Sequence, residues 1–162
     1  MRLSLLLLLA LPLAACADDA PEASGEAADT ATPEATSGEF TVADARTAPA
    51  PAGQNGGVFL TLTGGAMADT LVAARFAGAA ETQVHEGYET EDGLRGMREV
   101  AGVPVPAGGT ARLAPGGYHV MLLDLTAPLT LGDTVDVELE MAQAGTVPVR
   151  VAVRPVEEVM GR

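Results

Sequence analysis

The clearest pattern in the chain is alternation. In T-V-D-V-E-L-E-M (Thr134 to Met141), Val135, Val137, Leu139 and Met141 fall on one side and Asp136, Glu138 and Glu140 on the other. The run Val147 to Val153 repeats it, with Val147, Val149, Val151 and Val153 in phase. A period of two is the signature of a half-buried β-strand. Further short apolar runs read as strands: Thr41 to Ala45 (weak), Gly57 to Thr63, Thr70 to Phe76, Glu81 to Tyr88, Leu94 to Val100, Thr110 to Leu113 and Tyr118 to Leu125. Gly, Pro, Asn and Asp clusters separate them, and no stretch shows a helical period. V-P-V-P-A-G-G, with two prolines, suits an edge or a loop. Short strands joined by turns at this spacing predict an antiparallel β-sandwich or barrel over residues 40–155, with a Val/Leu core and a tail at 156–162.

The pattern is absent upstream of Phe40. Residues 17–39 hold seven acidic side chains, no basic one, and no apolar side chain larger than alanine apart from the proline rings. Such a segment cannot offset its chain entropy by burial, so residues 16–39 read as a disordered acidic tether, spanning on the order of 25 Å as a coil. Before it, Met1-Arg2 and the apolar run Leu3 to Leu13 have the form of a signal peptide over residues 1–15, too short to span a bilayer as a helix. L-A-A-C at 13–16 resembles a bacterial lipobox, which makes Cys16 the expected lipidation site and the new N-terminus. The chain is then expected in the bacterial cell envelope, lipid-anchored on the periplasmic or extracytoplasmic side.

Charge and cysteine content narrow the chemistry. The chain has 162 residues, 22 acidic and 9 basic, for a net charge of −13, and every basic residue is arginine. That balance disfavours nucleic acid and anionic lipid as partners. Cys16 is the only cysteine, so the folded part has neither a disulfide nor a thiolate ligand. No serine or cysteine nucleophile has a recognisable context, and the Gly pairs lack the helix and lysine of a phosphate loop. The chain reads as a non-enzyme.

What remains is a set of soft donors. P-G-G-Y-H-V-M (Pro115 to Met121) places His119 and Met121 two apart on one strand, hence on one face, just after a turn. The other histidine is His85, and Met97 sits in R-G-M-R. A lone strand histidine is more often structural than a ligand, and Met141 reads as core. The joint series is more informative: 11, 21 and 1 residues separate His85, Met97, His119 and Met121. Two imidazoles and two thioethers suit Cu(I), because thioether sulfur is soft; zinc would favour thiolate or more nitrogen and oxygen. A blue-copper electron-transfer site would need a cysteine in the fold. Met67 and Met160 are left as loop and tail residues that the sequence neither adds to nor removes from the donor set.

Three stretches carry a family resemblance: Val103 to Val137, G-G-V-F-L-T-L before Thr63, and V-H-E at Val84 to Glu86. Together they closely resemble the periplasmic copper chaperones of the PCu(A)C family over about residues 40–155. The family's signature is a histidine, ten residues, a methionine, twenty-one residues, then His-x-Met. Met97, His119 and Met121 match it, while eleven residues instead of ten follow His85, the extra one falling in Y-E-T-E-D-G. The resemblance implies a cupredoxin-like β-sandwich that binds Cu(I) as cargo through His85, Met97, His119 and Met121. It also implies delivery to an acceptor copper protein, notably the Cu(A) centre of cytochrome c oxidase. A copper-sequestering resistance lipoprotein and a β-sandwich lipoprotein with a degenerate site are the alternatives.

Overall fold

The computed structural model describes residues 35–37 and 40–161. The segments expected as signal peptide (1–15) and tether (16–39), Cys16 included, lie outside the described residues except for 35–37. The chain forms eleven strands and one short helix: β1 Ala35–Ser37, β2 Phe40–Thr47, β3 Gly56–Gly64, β4 Asp69–Arg75, β5 Ala79–Glu89, β6 Arg95–Glu99, β7 Val103–Val105, β8 Thr110–Leu113, β9 Tyr118–Leu125, β10 Thr134–Met141, β11 Gly145–Val153 and α1 Val156–Met160. Neighbouring strands run in the order β6-β5-β9-β3-β2-β11-β10-β4-β7, with β1 on β2 and β8 on β3. Among the described residues no helix is long and apolar enough to cross a membrane.

The alternating runs build the core as their phase predicts. In the β10–β11 hairpin Val137 stands opposite Val149 and Leu139 opposite Val147, all at most 2% exposed. Leu71 and Ala74 of β4 join them from the neighbouring strand. From the other half of the strand path come Val58, Leu60 and Leu62 of β3 and Val120 and Leu122 of β9. Both halves line one cluster, so the path folds over on itself as a sandwich. Burying a Val or Leu side chain contributes about 1.5–3 kcal/mol, which makes this aliphatic cluster the main source of stability.

Strand β2 links the halves. Its start pairs with β1 and β3, and its end stays paired with β3 while also meeting β11. Between Ala43 and Arg46 the register with β3 shifts, and Asp44 takes a positive φ of 56°. Beyond this bulge, Arg46 and Thr47 run parallel to Ala152 and Val153. This parallel pair departs from the purely antiparallel sandwich expected from the sequence. A bulge bends its strand, and past this bend β2 keeps its pairing with β3 while its last two residues also pair with β11.

Two boundary details also differ from expectation. Ala35, Thr36 and Ser37 pair with Val42, Thr41 and Phe40, so the sheet begins upstream of residue 40. The segment read as a tail opens with α1, whose Val159 is 1% exposed. One apolar anchor in a five-residue turn is too little to show a period.

Leu122 is fully buried on the face of β9 opposite His119 and Met121. Truncation there removes core contacts and leaves the donor side chains untouched. Leu122→Ala is expected to cost about 2–5 kcal/mol, read as a lower denaturant midpoint with an unchanged slope.

Candidate metal centre

Three adjacent strands, β6, β5 and β9, carry all four donor residues. The register decides how they meet. His85 of β5 stands directly opposite His119 of β9, and Glu99 of β6 stands opposite His85 from the other side. One row along, Met97 faces Gly87; one row the other way, Met121 faces Gln83. Directly opposed residues in an antiparallel pair share a face, as do residues two apart on a strand. His85, Met97, His119 and Met121 therefore lie on one face, together with Gln83, Gly87 and Glu99.

The extra residue between His85 and Met97 is absorbed by the turn. Glu89 pairs with Arg95, and residues 90–94 close the hairpin through Thr90 N–H to Leu94 O (2.8 Å) and Gly93 N–H to Thr90 O (2.9 Å). Gly93 supplies the positive φ of 78°. Because the added length stays outside the ladder, Met97 keeps the face of His85. On the hairpin's other face Arg98 bridges to Glu86 (2.8 Å) and lies over the Tyr88 ring.

A second turn sets His119. Pro115 and Gly116 occupy the corners of a turn closed by Gly117 N–H to Ala114 O (3.0 Å), and Gly116 has φ of 84°. Proline followed by a left-handed glycine is the pattern of a type II turn. Gly117 then accepts the Gly87 N–H (2.9 Å), tying this turn to β5. A side chain at Gly87 would meet the Gly116 carbonyl oxygen at 2.5 Å, so only glycine allows this approach.

Burial grades across the site. His119 is 8% exposed, with the Phe59 ring 6.1 Å away; His85 and Met121 are half-buried, and Met97 is 54% exposed. The two imidazoles are 5.7 Å apart, centroid to centroid, and nearly edge-on. His85 Nε2 bonds Gln83 Oε1 (2.7 Å), and His119 Nδ1 bonds the Gly117 carbonyl (3.0 Å). His85 Nδ1 is buried without a hydrogen-bond partner. Burial lowers the His85 pKa, the neighbouring His119 lowers it further, and Glu99 opposes both. A neutral imidazole is the form that can donate a lone pair to a metal.

As a candidate donor set, these four side chains offer two imidazole nitrogens and two thioethers. Among the described residues, no three of His, Cys, Asp and Glu gather in an arrangement fit to hold a metal, so nothing here favours a hard cation or a zinc cage. Met67 lies in the β3–β4 loop beside Phe40, Asp69 and Gln143, and Met160 lies in α1; both are off the three strands. Met141 is a core residue, 4% exposed. Sequence reasoning missed Gln83, Glu99, Gly87 and Phe59. The first two could have been found from the period of two, since Gln83 precedes His85 and Glu99 follows Met97 by two positions.

Two outcomes follow from this geometry. Gly87→Ala should force the Pro115–Gly117 turn away and destabilise by about 1–3 kcal/mol, with amide shifts in a ¹H–¹⁵N spectrum concentrated at the turn and His119. His85 should titrate below the ordinary imidazole value of about 6.5 when followed by its ring proton shifts. As pH falls through that value the unfolded chain takes up the proton first, so the contribution of His85 to stability is lost between 6.5 and its lower folded-state pKa.

Known proteins place the chain in a family. The family described as "Putative lipoprotein LpqE-like" matches residues 40–153. The protein Lxx21020 of Leifsonia xyli subsp. xyli, which carries the same lipoprotein description, is 41% identical over 85 residues, or 52% of this chain and 51% of its own. The match thus spans about half the length of that relative. Among solved structures, the copper-bound PCuAC domain from PmoF2 superposes with a TM-score of 0.62 at 20% identity, covering 74% of this chain and 96% of its own. The Cu(I) form of DR1885 from Deinococcus radiodurans does so with a TM-score of 0.58 at 28% identity, covering 86% and 89%. Its apo form gives 0.52 at 25% identity, covering 94% and 97%. The fold is that of the PCuAC domains, and by its match over residues 40–153 the chain belongs to the LpqE-like family.

Proposed function

We propose that this chain is a lipid-anchored copper chaperone of the cell envelope, which carries Cu(I) on His85, Met97, His119 and Met121 and hands it to an acceptor copper protein. One observation carries the reading: the register that sets His85 directly opposite His119 also puts both thioethers on the same face. Imidazole and thioether together select a soft monovalent ion, and they stay available in an oxidising compartment where a cysteine pair could be lost to a disulfide. The copper-bound forms of PmoF2 and DR1885, which share the fold, support copper as the cargo. The lipoprotein description of the family and of Lxx21020 supports Cys16 as the anchor.

The burial gradient suits delivery. His119 and His85 form the sheltered end of the donor set, and Met97, 54% exposed, forms the open end. An incoming ligand from the acceptor displaces the Met97 thioether first, and the ion passes through a mixed complex without ever being free. The acidic linker upstream of β1 holds the domain away from the membrane, where it can reach such an acceptor. The Cu(A) domain of cytochrome c oxidase is the acceptor to try first.

A competition titration against a chromophoric Cu(I) chelator tests the binding step. One equivalent of Cu(I) should bind, and His119→Ala and Met121→Ala should each lower the affinity by about 100-fold or more, since even an outer partner of a ligand is worth ten- to hundredfold. Met97→Ala should lower it less and speed transfer to an apo Cu(A) domain. Failure of the intact protein to compete for Cu(I) would sink the reading; a copper-loaded protein that keeps its ion beside the acceptor would favour storage over delivery.

A further inference from the structure

The two histidines are each held by an oxygen that can only accept, through different ring nitrogens. Gln83 Nε2 lies 2.8 Å from Glu81 Oε1. A carboxylate accepts and does not donate, so the amide nitrogen of Gln83 must face Glu81. That orients Gln83 Oε1, an acceptor, toward His85 Nε2 at 2.7 Å. His85 Nε2 therefore carries the proton, and Nδ1 carries the lone pair. The Gly117 carbonyl is likewise an acceptor only, so His119 carries its proton on Nδ1 and its lone pair on Nε2.

We infer that Gln83, oriented by Glu81, is a positioning residue: it fixes the tautomer and the ring of His85 so that Nδ1 meets the metal ion, while Gly117 leaves Nε2 of His119 for the same ion. The ion's identity rests on the Cu(I) reading; the tautomers do not. His85 Nδ1 is buried and has no partner, and a buried acceptor left unmade costs about 1–3 kcal/mol. A bound cation removes that cost. Glu81 also acts through the amide. Its charge polarises Gln83 Oε1, strengthens the bond to Nε2–H and raises the donor strength of Nδ1, as outer partners of metal-bound histidines do. Gln83 shares the face of His85 and stands opposite Met121, so one side chain braces the ring at the row where the thioether lies.

The test is a long-range ¹H–¹⁵N correlation spectrum of the ¹⁵N-labelled folded protein, metal-free, at a pH where both rings are neutral. His85 is expected to show a protonated Nε2 and a bare Nδ1, and His119 the reverse. Adding Cu(I) from a buffered chelate should then move His85 Nδ1 and His119 Nε2 far more than the two protonated nitrogens. Gln83→Leu, which has no acceptor, should lower Cu(I) affinity about ten- to hundredfold and broaden the His85 Nε2–H signal. A His85 protonated on Nδ1, or a folded Gln83→Leu protein with wild-type affinity and a sharp His85 signal, overturns the inference. If Gln83→Leu does not fold, the wild-type tautomers decide alone. The stated tautomers in a protein that takes up no Cu(I) would support the role of Gln83 and remove the copper reading instead.

Discussion

The candidate site depends on one register, that of β5 against β9. His85 stands opposite His119 because Val84 stands opposite Val120, with both valines buried on the core side. A slip of one residue would turn His85 to the core and bring a valine to the outer face, at the cost of burying an imidazole and exposing an aliphatic side chain. The hydrophobic core thus fixes the geometry of the polar face without touching it. The Gly87–Gly117 bond and the close approach of Gly116 clamp the same pairing from the turn end. Met97 inherits its place from a second register, β5 against β6, which the turn at residues 90–94 keeps in phase despite its added length.

The face so built is soft, nearly uncharged at its centre and open at one end. Glu99 is the one carboxylate in the rows of the four donors, and it stands opposite His85 as an exposed group. Burial and the neighbouring His119 lower the His85 pKa against the opposing effect of Glu99, and the bonds to Gln83 and Gly117 hold both rings. Charge flanks the site: the Arg95–Glu89 pair lies on the same face one row beyond Met97, the Arg98–Glu86 pair lies on the hairpin's other face, and further carboxylates alternate along β10. Exposed pairs such as Arg95–Glu89 contribute about 0–1 kcal/mol, so they shape the hairpin's surface more than its stability.

Much of this was readable from the residues. The period of two placed β3, β9, β10 and β11 and assigned His119 and Met121 to a common face, because alternation is a local property. The all-β class followed from the same signal. What was not local was not legible. The parallel contact of β2 with β11 joins Arg46 to Ala152 across the length of the domain, and it depends on a bulge at Asp44 that no pattern announces. The pairing of Ala35 to Ser37 with Val42 to Phe40 falls in a segment with no apolar period. Within the site, the opposition of His85 and His119 comes from strand order, which spacing does not encode. Phe59 reaches His119 from β3 for the same reason.

A Cu(I) ion held on one outer face of the sheet by these side chains would have a mixed nitrogen and thioether environment. X-ray absorption at the copper edge of the Cu(I)-loaded protein measures that environment directly. The spectrum should show both nitrogen and sulfur scatterers around copper, with sulfur lost in part when Met97 is replaced and further when Met121 is also replaced. A shell of nitrogen and oxygen alone, unchanged by those replacements, would contradict it.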